Sequence, residues 1–345
     1  MSGVQTIEIA PGDGGQRLDR FLKRHFPHLG QGRIEKMCRK GELRLDGGRV
    51  KASTRVATGQ MLRVPPLPDP GAPKAPARAI DPSDAEMIQR AVIYRDDHVI
   101  ALNKPPGLPV QGGSKLTRHV DGLGPALRFG KEESPRLVHR LDKDTSGVLL
   151  LARSRAVAAG LTEAFRHRAT RKIYWAAVAG QPSPRAGVIK WGLVKAPGHG
   201  QRGEGEKMHV VSPDDVATTD GAKRATTEFT TIEGLGRRAA WMALVPVTGR
   251  THQLRAHMAA LGHPIVGDGK YGGSGQENLG DGWGAGLGGA FSRKLHLHAR
   301  ALILEHPVTG AQLTLIAPLP EHMARTWAEF GWEAEQAALD PFEDL

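Results

Sequence analysis

One polar stretch has the residue types and the setting of a catalytic loop. Residues 139–147 read His-Arg-Leu-Asp-Lys-Asp-Thr-Ser-Gly, and the apolar run 148–151 follows at once. A loop that is backed by a buried strand holds a carboxylate still, as nucleophilic chemistry requires. We therefore take Asp142 as the candidate nucleophile and Asp144 as a less favoured neighbour. The alternative, open at this point, is that both acids pair with the basic residues beside them or shape a turn.

A second stretch supplies a partner for such a carboxylate. Residues 246–257 read Pro-Val-Thr-Gly-Arg-Thr-His-Gln-Leu-Arg-Ala-His, which predicts a strand, a Thr-Gly turn and then a helix. Thr251 is placed to cap that helix, and Arg255 lies about 100° off its apolar stripe, where it can reach into a cleft. An arginine there would fork onto a carboxylate and keep it ionised, as a nucleophilic Asp needs. The alternative is an exposed helix arginine.

Short strands outnumber helices around these two stretches. Continuous or alternating apolar runs predict the strands, and apolar residues at helical spacing predict the helices. Many antiparallel-type strands with few crossover helices indicate an α+β fold with a large mixed, mainly antiparallel sheet. The predicted strands of the body are 99–102, 148–151, 173–178, 225–232, 239–245, 295–304 and 312–316, and its predicted helices are 157–165, 251–261 and 323–338.

The net charge of +11 is concentrated near the N-terminus. Residues 16–65 hold thirteen Lys and Arg against four Asp and Glu, a net charge of +9. Two amphipathic helices and a hairpin are predicted there, with Cys38 on the apolar side of the second helix. The other faces of that helix carry Arg33, Lys36, Arg39 and Lys40. This asymmetry indicates a small α/β module that binds a polyanion, with RNA favoured over a merely solvated helix face.

The remaining residues divide into three predicted segments. Residues 66–88, which are rich in Pro and Ala, are predicted to form a linker, and residues 89–320 the main domain. Residues 321–345 hold seven acidic residues and one Arg, which predicts a solvated acidic helix or tail. Within the main domain, the Gly-rich segment 272–289 is predicted to be a surface loop.

Several classes of protein are disfavoured. The glycine patterns at 267–272 and 284–289 do not join a strand to a helix, so neither indicates a nucleotide cofactor. His296 and His298 share one face of a strand, but no Cys or carboxylate cluster completes a metal site, and we expect structural histidines. No apolar run reaches the ~18 residues that span a membrane, and the N-terminus lacks a signal peptide. A single cysteine suits a reducing compartment. We expect a cytoplasmic protein without metal or cofactor.

The chain resembles the RluA-type pseudouridine synthase family, and within it the members that act on the ribosomal large subunit. The motifs occur in order between about residues 92 and 318. They are Leu102-Asn103-Lys104-Pro105-Pro106-Gly107, His139-Arg140-Leu141-Asp142 with Thr145-Ser146-Gly147, Lys172-Ile173-Tyr174, Gly249-Arg250-Thr251-His252-Gln253-Leu254-Arg255, Gly267-Asp268 with Tyr271-Gly272, and Leu297-His298-Ala299. The basic segment is similar to the RNA-binding domain first seen in small-subunit ribosomal protein S-four, through Arg17-Leu18-Asp19, Arg39-Lys40-Gly41 and Val50.

This resemblance implies an isomerase that converts uridine to pseudouridine in RNA without a cofactor. The base leaves its sugar, turns and is rejoined through a ring carbon. Asp142 would be the nucleophile, attacking either the sugar or the base, and Arg255 would hold it as a carboxylate. Tyr174 would remove the proton from the new attachment carbon.

The resemblance also implies how RNA would be held. Arg140 would fill the gap left when the uridine leaves the helix stack. Lys104, Arg250 and the basic residues of 166–172 would contact phosphates. Large-subunit (23S) rRNA is the favoured partner of a monomeric enzyme, and a tRNA-directed synthase is the close alternative. A non-catalytic ribosome assembly factor is another, although the presence of all three catalytic residue types argues against it.

Overall fold

The chain divides into two compact units. The computed structural model describes residues 3–67, 80–112, 118–166, 170–195, 207–272 and 292–342. Contacts within the chain define a smaller unit, Met1–Ala79, and a larger unit, Ile80–Leu345. Most of the glycine-rich segment predicted to be a loop, with the second glycine pattern, lies outside the described residues.

The smaller unit is a four-stranded antiparallel sheet packed with two helices. Its elements are β1 (Gln5–Glu8), α1 (Leu18–His25), α2 (Gln31–Lys40), β2 (Arg44–Leu45), β3 (Gly48–Arg49) and β4 (Met61–Val64). The strand order is β1-β4-β2-β3. Phe21, Ile34 and Leu62 share one core, and Cys38 belongs to it as predicted. The predicted start at residue 16 was too late, because β1 pairs along its length with β4 and completes the sheet.

The larger unit is built on one mixed sheet. Its helices are α3 (Pro82–Arg90), α4 (Val120–Leu123), α5 (Arg155–Arg166), α6 (Gln253–Ala260) and α7 (Glu321–Phe330). Its strands are β5 (Val92–Arg95), β6 (Val99–Lys104), β7 (Arg136–Leu137), β8 (Ser146–Ala152), β9 (Thr170–Ala179), β10 (Ala186–Lys195), β11 (Met208–Val211), β12 (Lys223–Leu235), β13 (Ala239–Pro246), β14 (Leu297–Glu305) and β15 (Gln312–Ile316). The order is β11-β10-β12-β13-β9-β14-β8-β6-β5, with β15 beside β14 and β7 beside β8. The predicted α+β class with a large mixed, mainly antiparallel sheet is confirmed.

Helix α3 and the strand pair β10–β11 are among the elements of this unit that the sequence prediction missed. Helix α3 begins inside the predicted linker and ends two residues beyond it; Asp81 caps it through its carboxylate, and Ile88 is fully buried. The linker prediction was therefore wrong for this part, since a capped helix with a buried side chain belongs to the larger unit. The β10–β11 pair was also missed, because its few buried side chains, such as Ile189 and Leu193, do not alternate regularly with polar ones.

The centre of the sheet contains a narrow junction between two strands. Strands β8 and β14 run parallel and share only two residue pairs, His298–Ser146 and Ala299–Gly147. Beyond those pairs, side chains of β8, β14 and helix α5 meet in a common apolar cluster. The loop that carries Asp142 ends at this junction, so the start of β8 sets the position of the loop.

Gly147 allows the two strands to approach at this junction. Its φ of +107° is a conformation that side chains rarely adopt, and a Cβ there would lie 2.2 Å from the carbonyl oxygen of Ala299. We expect Gly147→Ala to lower the free energy of unfolding by roughly 3–5 kcal/mol, as backbone strain and overpacking add. Gly262→Ala is the matched control, because Gly262 has a φ of +90° and open space around it. Urea denaturation of both variants measures the difference, and equal losses would contradict the close-contact explanation.

The C-terminal segment is part of the core. Met323, Trp327 and Phe330 of α7 are buried, as their spacing predicted. Beyond the helix, Trp332 packs on the rings of Trp327 and of Trp241 in β13. The prediction of a solvated acidic tail was therefore wrong for residues 321–342. The four glutamates of this segment, Glu321, Glu329, Glu333 and Glu335, are exposed, whereas Asp340 pairs with Arg171 and the aromatic residues anchor the segment.

Candidate active site

Asp142 lies on the loop between β7 and β8, where it is open to solvent. The preceding Leu141 is buried and so are Thr145 and Ser146 after it, so the loop is anchored at both ends. The Asp142 side chain is 29% exposed, which leaves room for a substrate to reach it. Asp144, the less favoured candidate nucleophile, is exposed. The sequence prediction of a carboxylate presented in front of a buried strand is confirmed.

Lys104 holds this loop from beneath. It is fully buried at the end of β6, and its Nζ donates to the carbonyl oxygens of Pro105, Leu108 and Lys143 at 2.9–3.0 Å. Those three acceptors use all three donors of an ammonium group. Lys104 was predicted to contact phosphates, and the structure places it instead as an internal support of the Asp142 loop.

The buried ammonium gives the folded state a pH dependence. Burial lowers the pKa of Lys104 from 10.5 to about 7, against the charges of Asp144 and Asp142. Between these two values the unfolded chain keeps a proton that the folded chain releases. The free energy of unfolding should therefore rise with pH across that window in the native protein relative to Lys104→Met.

Denaturant unfolding at about pH 6 and about pH 9 measures this difference between the two proteins. Lys143→Met removes an exposed lysine of the same loop and is the matched control. A Lys104→Met variant whose pH dependence equals that of the native protein would contradict the expectation.

Arg255 reaches the site from helix α6, but its main partner is not Asp142. Its Nε and Nη2 each donate to Asp268 at 2.7 Å, while Nη1 lies 3.9 Å from Asp142 Oδ2. Asp268 is completely buried and also accepts the backbone N–H groups of Lys270 and Tyr271. Burial disfavours the charge of Arg255, but the hydrogen bonds and charge of Asp268 outweigh it and raise its pKa. The prediction that Arg255 forks onto Asp142 was therefore wrong. Nε and Nη2 donate to Asp268 instead, and only Nη1 faces Asp142.

His252 completes this side of the site and was not predicted. It precedes α6 in the left-handed conformation, with a φ of +51°, so it and not Thr251 is the N-cap residue. Its ring is buried, with Nε2 3.9 Å from Asp142 Oδ2 and Nδ1 3.1 Å from the Tyr271 hydroxyl. Asp268 and Tyr271 appeared in the family motifs as a spacing without a role. The presence of Asp268 and Tyr271 in the family motifs was the one signal in the sequence that could have predicted this cluster.

Tyr174 lies in the middle of the sheet beside the same loop. It pairs with Ala299 of β14 on one side and Leu244 of β13 on the other. Burial and the charge of Asp142 both raise the pKa of Tyr174 well above its ordinary value. The phenol is therefore neutral in the free protein. It lies close enough to Asp142 for the charge of that carboxylate to affect its pKa.

The predicted RNA-contacting residues are distributed over both units. Arg140 is exposed next to Asp142, and Arg250 is exposed with its Nε donating to the carbonyl oxygen of Arg224. In the smaller unit, all four predicted side chains of α2 are exposed: Arg33, Lys36, Arg39 and Lys40. In the 166–172 cluster, Arg171 instead pairs with Glu228 and Asp340, and residues 167–169 lie outside the described residues.

The two histidines with metal-like spacing have hydrogen-bond partners. His298 lies between the Ser146 hydroxyl and the carbonyl oxygen of Ala317, and His296 between the Lys294 carbonyl oxygen and the Thr326 hydroxyl. The prediction that they are structural is confirmed. The described ranges contain no group of three or more His, Cys, Asp or Glu side chains suited to a metal ion. The same ranges contain no helix long and apolar enough to cross a membrane.

Comparison with known proteins identifies the class of enzyme. A family model described as RNA pseudouridylate synthase matches residues 98–260, which include Asp142, Tyr174 and Arg255. The chain belongs to this family, and it is an RNA pseudouridine synthase.

Individual relatives match almost the whole chain. The ribosomal large subunit pseudouridine synthase C of Haemophilus ducreyi is 35% identical over 326 residues, 93% of this chain and 94% of that protein. The protein of the same name from Escherichia coli K12 is 34% identical over 331 residues, 93% and 95% of the two chains. Among solved structures, human RNA pseudouridylate synthase domain containing 4 is 30% identical, with a TM-score of 0.55 over 72% of this chain and 95% of that one.

Proposed function

We propose that this enzyme converts specific uridines of large-subunit rRNA to pseudouridine, with Asp142 as the nucleophile. The single observation that carries the proposal is the solvent-open carboxylate of Asp142, on which Arg255 and His252 converge from helix α6. The full-length similarity to enzymes named for the ribosomal large subunit supports the choice of RNA. A ribosomal substrate also supports a cytoplasmic location, and we retain the expectation of a monomer.

The reaction is an isomerisation without net oxidation. The bond between the uracil nitrogen and the sugar breaks, a bond from a uracil ring carbon to the same sugar carbon forms, and the proton of that ring carbon is lost while the nitrogen gains one. Asp142 stabilises the detached state by bonding covalently to either the sugar or the base. Arg255, held by Asp268, places its positive charge 3.9 Å from the carboxylate that attacks.

Tyr174 is our candidate for the group that removes the ring proton. A neutral phenol is a weak base, and the negative charge of Asp142 contributes to keeping Tyr174 neutral in the free enzyme. Once Asp142 has formed a covalent bond, its charge is gone and the phenol ionises more readily. The proton removal by Tyr174 would therefore follow the attack by Asp142.

Arg140 and Arg250 are placed to hold the RNA around the nucleophile. Arg140 is exposed two residues before Asp142, and its guanidinium is 3.5 Å from the amide oxygen of Gln111. We propose that it occupies the space left by the everted uridine, which offsets part of the unstacking cost of a few kcal/mol. Arg250 would contact a phosphate.

The smaller unit is our candidate for an RNA-recruitment module of the S-four type. We expect replacement of its four exposed α2 cations by Gln to weaken rRNA binding. The slope of log affinity against log salt should fall by roughly 3, because each phosphate contact contributes about 0.7–0.9. The four substitutions are Arg33→Gln, Lys36→Gln, Arg39→Gln and Lys40→Gln.

A charge-matched control removes four exposed cations of the larger unit, each of which has a carboxylate partner. These are Arg90→Gln, Lys131→Gln, Arg136→Gln and Arg325→Gln. Binding measured across a salt series should change less in the control, and an equal change would tell against a dedicated recruitment surface.

The target RNA is tested by mapping pseudouridine in rRNA and tRNA from a strain that lacks the gene. We expect specific 23S rRNA sites to revert to uridine and to be restored by the native gene. Loss confined to tRNA would replace the proposed substrate. An unchanged pseudouridine map in both RNAs would favour a non-catalytic assembly role.

A further inference from the structure

The two oxygens of the Asp142 carboxylate have different surroundings. Arg255 Nη1 and His252 Nε2 both lie 3.9 Å from Oδ2. In the described ranges, by contrast, no side chain or backbone donor is hydrogen-bonded to Oδ1. One oxygen therefore faces two potential donors, and the other is free for substrate.

The hydrogen-bond partners of Tyr271 favour one of the two tautomers of His252. The Tyr271 hydroxyl oxygen accepts the backbone N–H of Met208 at 2.8 Å. Its own hydrogen is then available to His252 Nδ1, which lies 3.1 Å away. With Tyr271 as the donor to Nδ1, a neutral His252 carries its one proton on Nε2, the nitrogen that faces Asp142, and this is the tautomer that the arrangement favours.

The position of this donor is held from several sides. His252 is 8% exposed, and its left-handed backbone places the ring before the first turn of α6. Asp268 accepts the backbone N–H of Tyr271 as well as the fork of Arg255, so one buried carboxylate orders both partners of Asp142 Oδ2. Such doubly supported placement is what a positioning residue requires.

We propose that His252 is a positioning residue which, together with Arg255, holds one oxygen of Asp142 and leaves the other oxygen to attack. The proposal rests on the proposed nucleophilic role of Asp142. The two separations of 3.9 Å are longer than hydrogen bonds, and we expect both to shorten when RNA fills the site, as catalytic contacts commonly do on substrate binding. Tyr271 acts one step further away, by keeping the Nε2–H form of His252.

The test compares two variants that differ in one property. His252→Gln keeps an N–H donor at about the reach of Nε2, whereas His252→Met has similar length and no donor, and both have the same backbone strain. We expect His252→Met to lower kcat by roughly 10- to 100-fold with little change in KM, because a hydrogen bond to a charged group is lost. His252→Gln should recover most of that loss. Turnover is followed by tritium release from RNA labelled at the uracil carbon that forms the new bond.

A third variant tests the proposal even if His252→Met does not fold. Tyr271→Phe should lower kcat by roughly 3- to 10-fold at constant KM, because His252 is then free to adopt the other tautomer. It should add nothing further in the His252→Met background. Equal kcat values for the Gln and Met variants, or additive losses with Tyr271→Phe, would overturn the proposal.

The proposal for His252 fails separately from that for Asp142. If Asp142→Asn is inactive while His252→Met has native kcat, only the positioning role is lost. If Asp142→Asn itself turns over at the native rate, the nucleophile assignment is wrong, whatever the histidine variants do.

Discussion

Asp142→Asn is expected to abolish pseudouridine formation while RNA affinity stays nearly unchanged. The amide has the same shape as the carboxylate but cannot act as the anionic nucleophile, so the rate should fall by at least ~10⁴-fold. RNA binding depends on the basic surfaces, which the substitution leaves unchanged. Loss of one negative charge from a site that faces a polyanion does not weaken binding, so the affinity should change little. Single-turnover tritium release and filter binding on the same RNA measure the two quantities.

Asp144→Asn is the matched control for this substitution. Asp144 lies two residues further along the same loop and is exposed. Its replacement makes the same change of charge near the bound RNA, and we expect turnover within a few-fold of native, since none of the hydrogen bonds described for the site involves its side chain. Comparable losses in both variants would mean that the charge of the loop matters and not the nucleophile.

Asp268→Asn is expected to cost both stability and activity. Asp268 is fully buried and is the bidentate partner of Arg255. Loss of one member of a buried ion pair leaves an uncompensated charge, which typically costs about 3–5 kcal/mol in the free energy of unfolding. The orientation of Arg255 is lost as well, so turnover at a temperature where the variant is folded should fall more than stability alone explains. Denaturant unfolding and turnover measure the two effects.

Two further proteins separate packing from catalysis. In Asp268→Asn with Arg255→Met, the unpaired buried charge is gone, so part of the lost stability should return while activity does not. Asp340→Asn breaks another bidentate Arg–Asp pair, that of Arg171, where the arginine is about one-third exposed. We expect a smaller loss there, with activity retained. Full activity in the double variant would remove Arg255 from the site.

The sequence was informative where local pattern determines structure. A polar loop in front of an apolar strand predicted the setting of Asp142, and helical spacing predicted that Arg255 would turn towards a cleft. The partner of Arg255 was not predictable in this way. A fork of two donors can be satisfied by only one carboxylate, and choosing between Asp142 and Asp268 needs the turn that brings residue 268 beneath the helix.

The burial of Lys104 and that of the C-terminal segment are two further features that local sequence pattern did not predict. A lysine at the end of a strand was interpreted as a surface cation, but three backbone carbonyl oxygens were available inside the loop. Acidic composition suggested a solvated tail, although three buried side chains of the helix, Met323, Trp327 and Phe330, together with Trp332 after it, dock the segment. The C-terminal segment is held by aromatic residues distant in sequence, and one of the three acceptors of Lys104, the carbonyl oxygen of Lys143, is distant as well.

The docking of the last helix has an optical consequence. The rings of Trp175, Trp241, Trp327 and Trp332 form a chain of neighbours whose centroids lie 4.7–6.1 Å apart. Two of them come from the sheet and two from the C-terminal segment, so their shared dry environment exists only while that segment is in place. The intrinsic tryptophan fluorescence of the native protein therefore reports whether the C-terminal segment is docked on the sheet, and no added dye is needed.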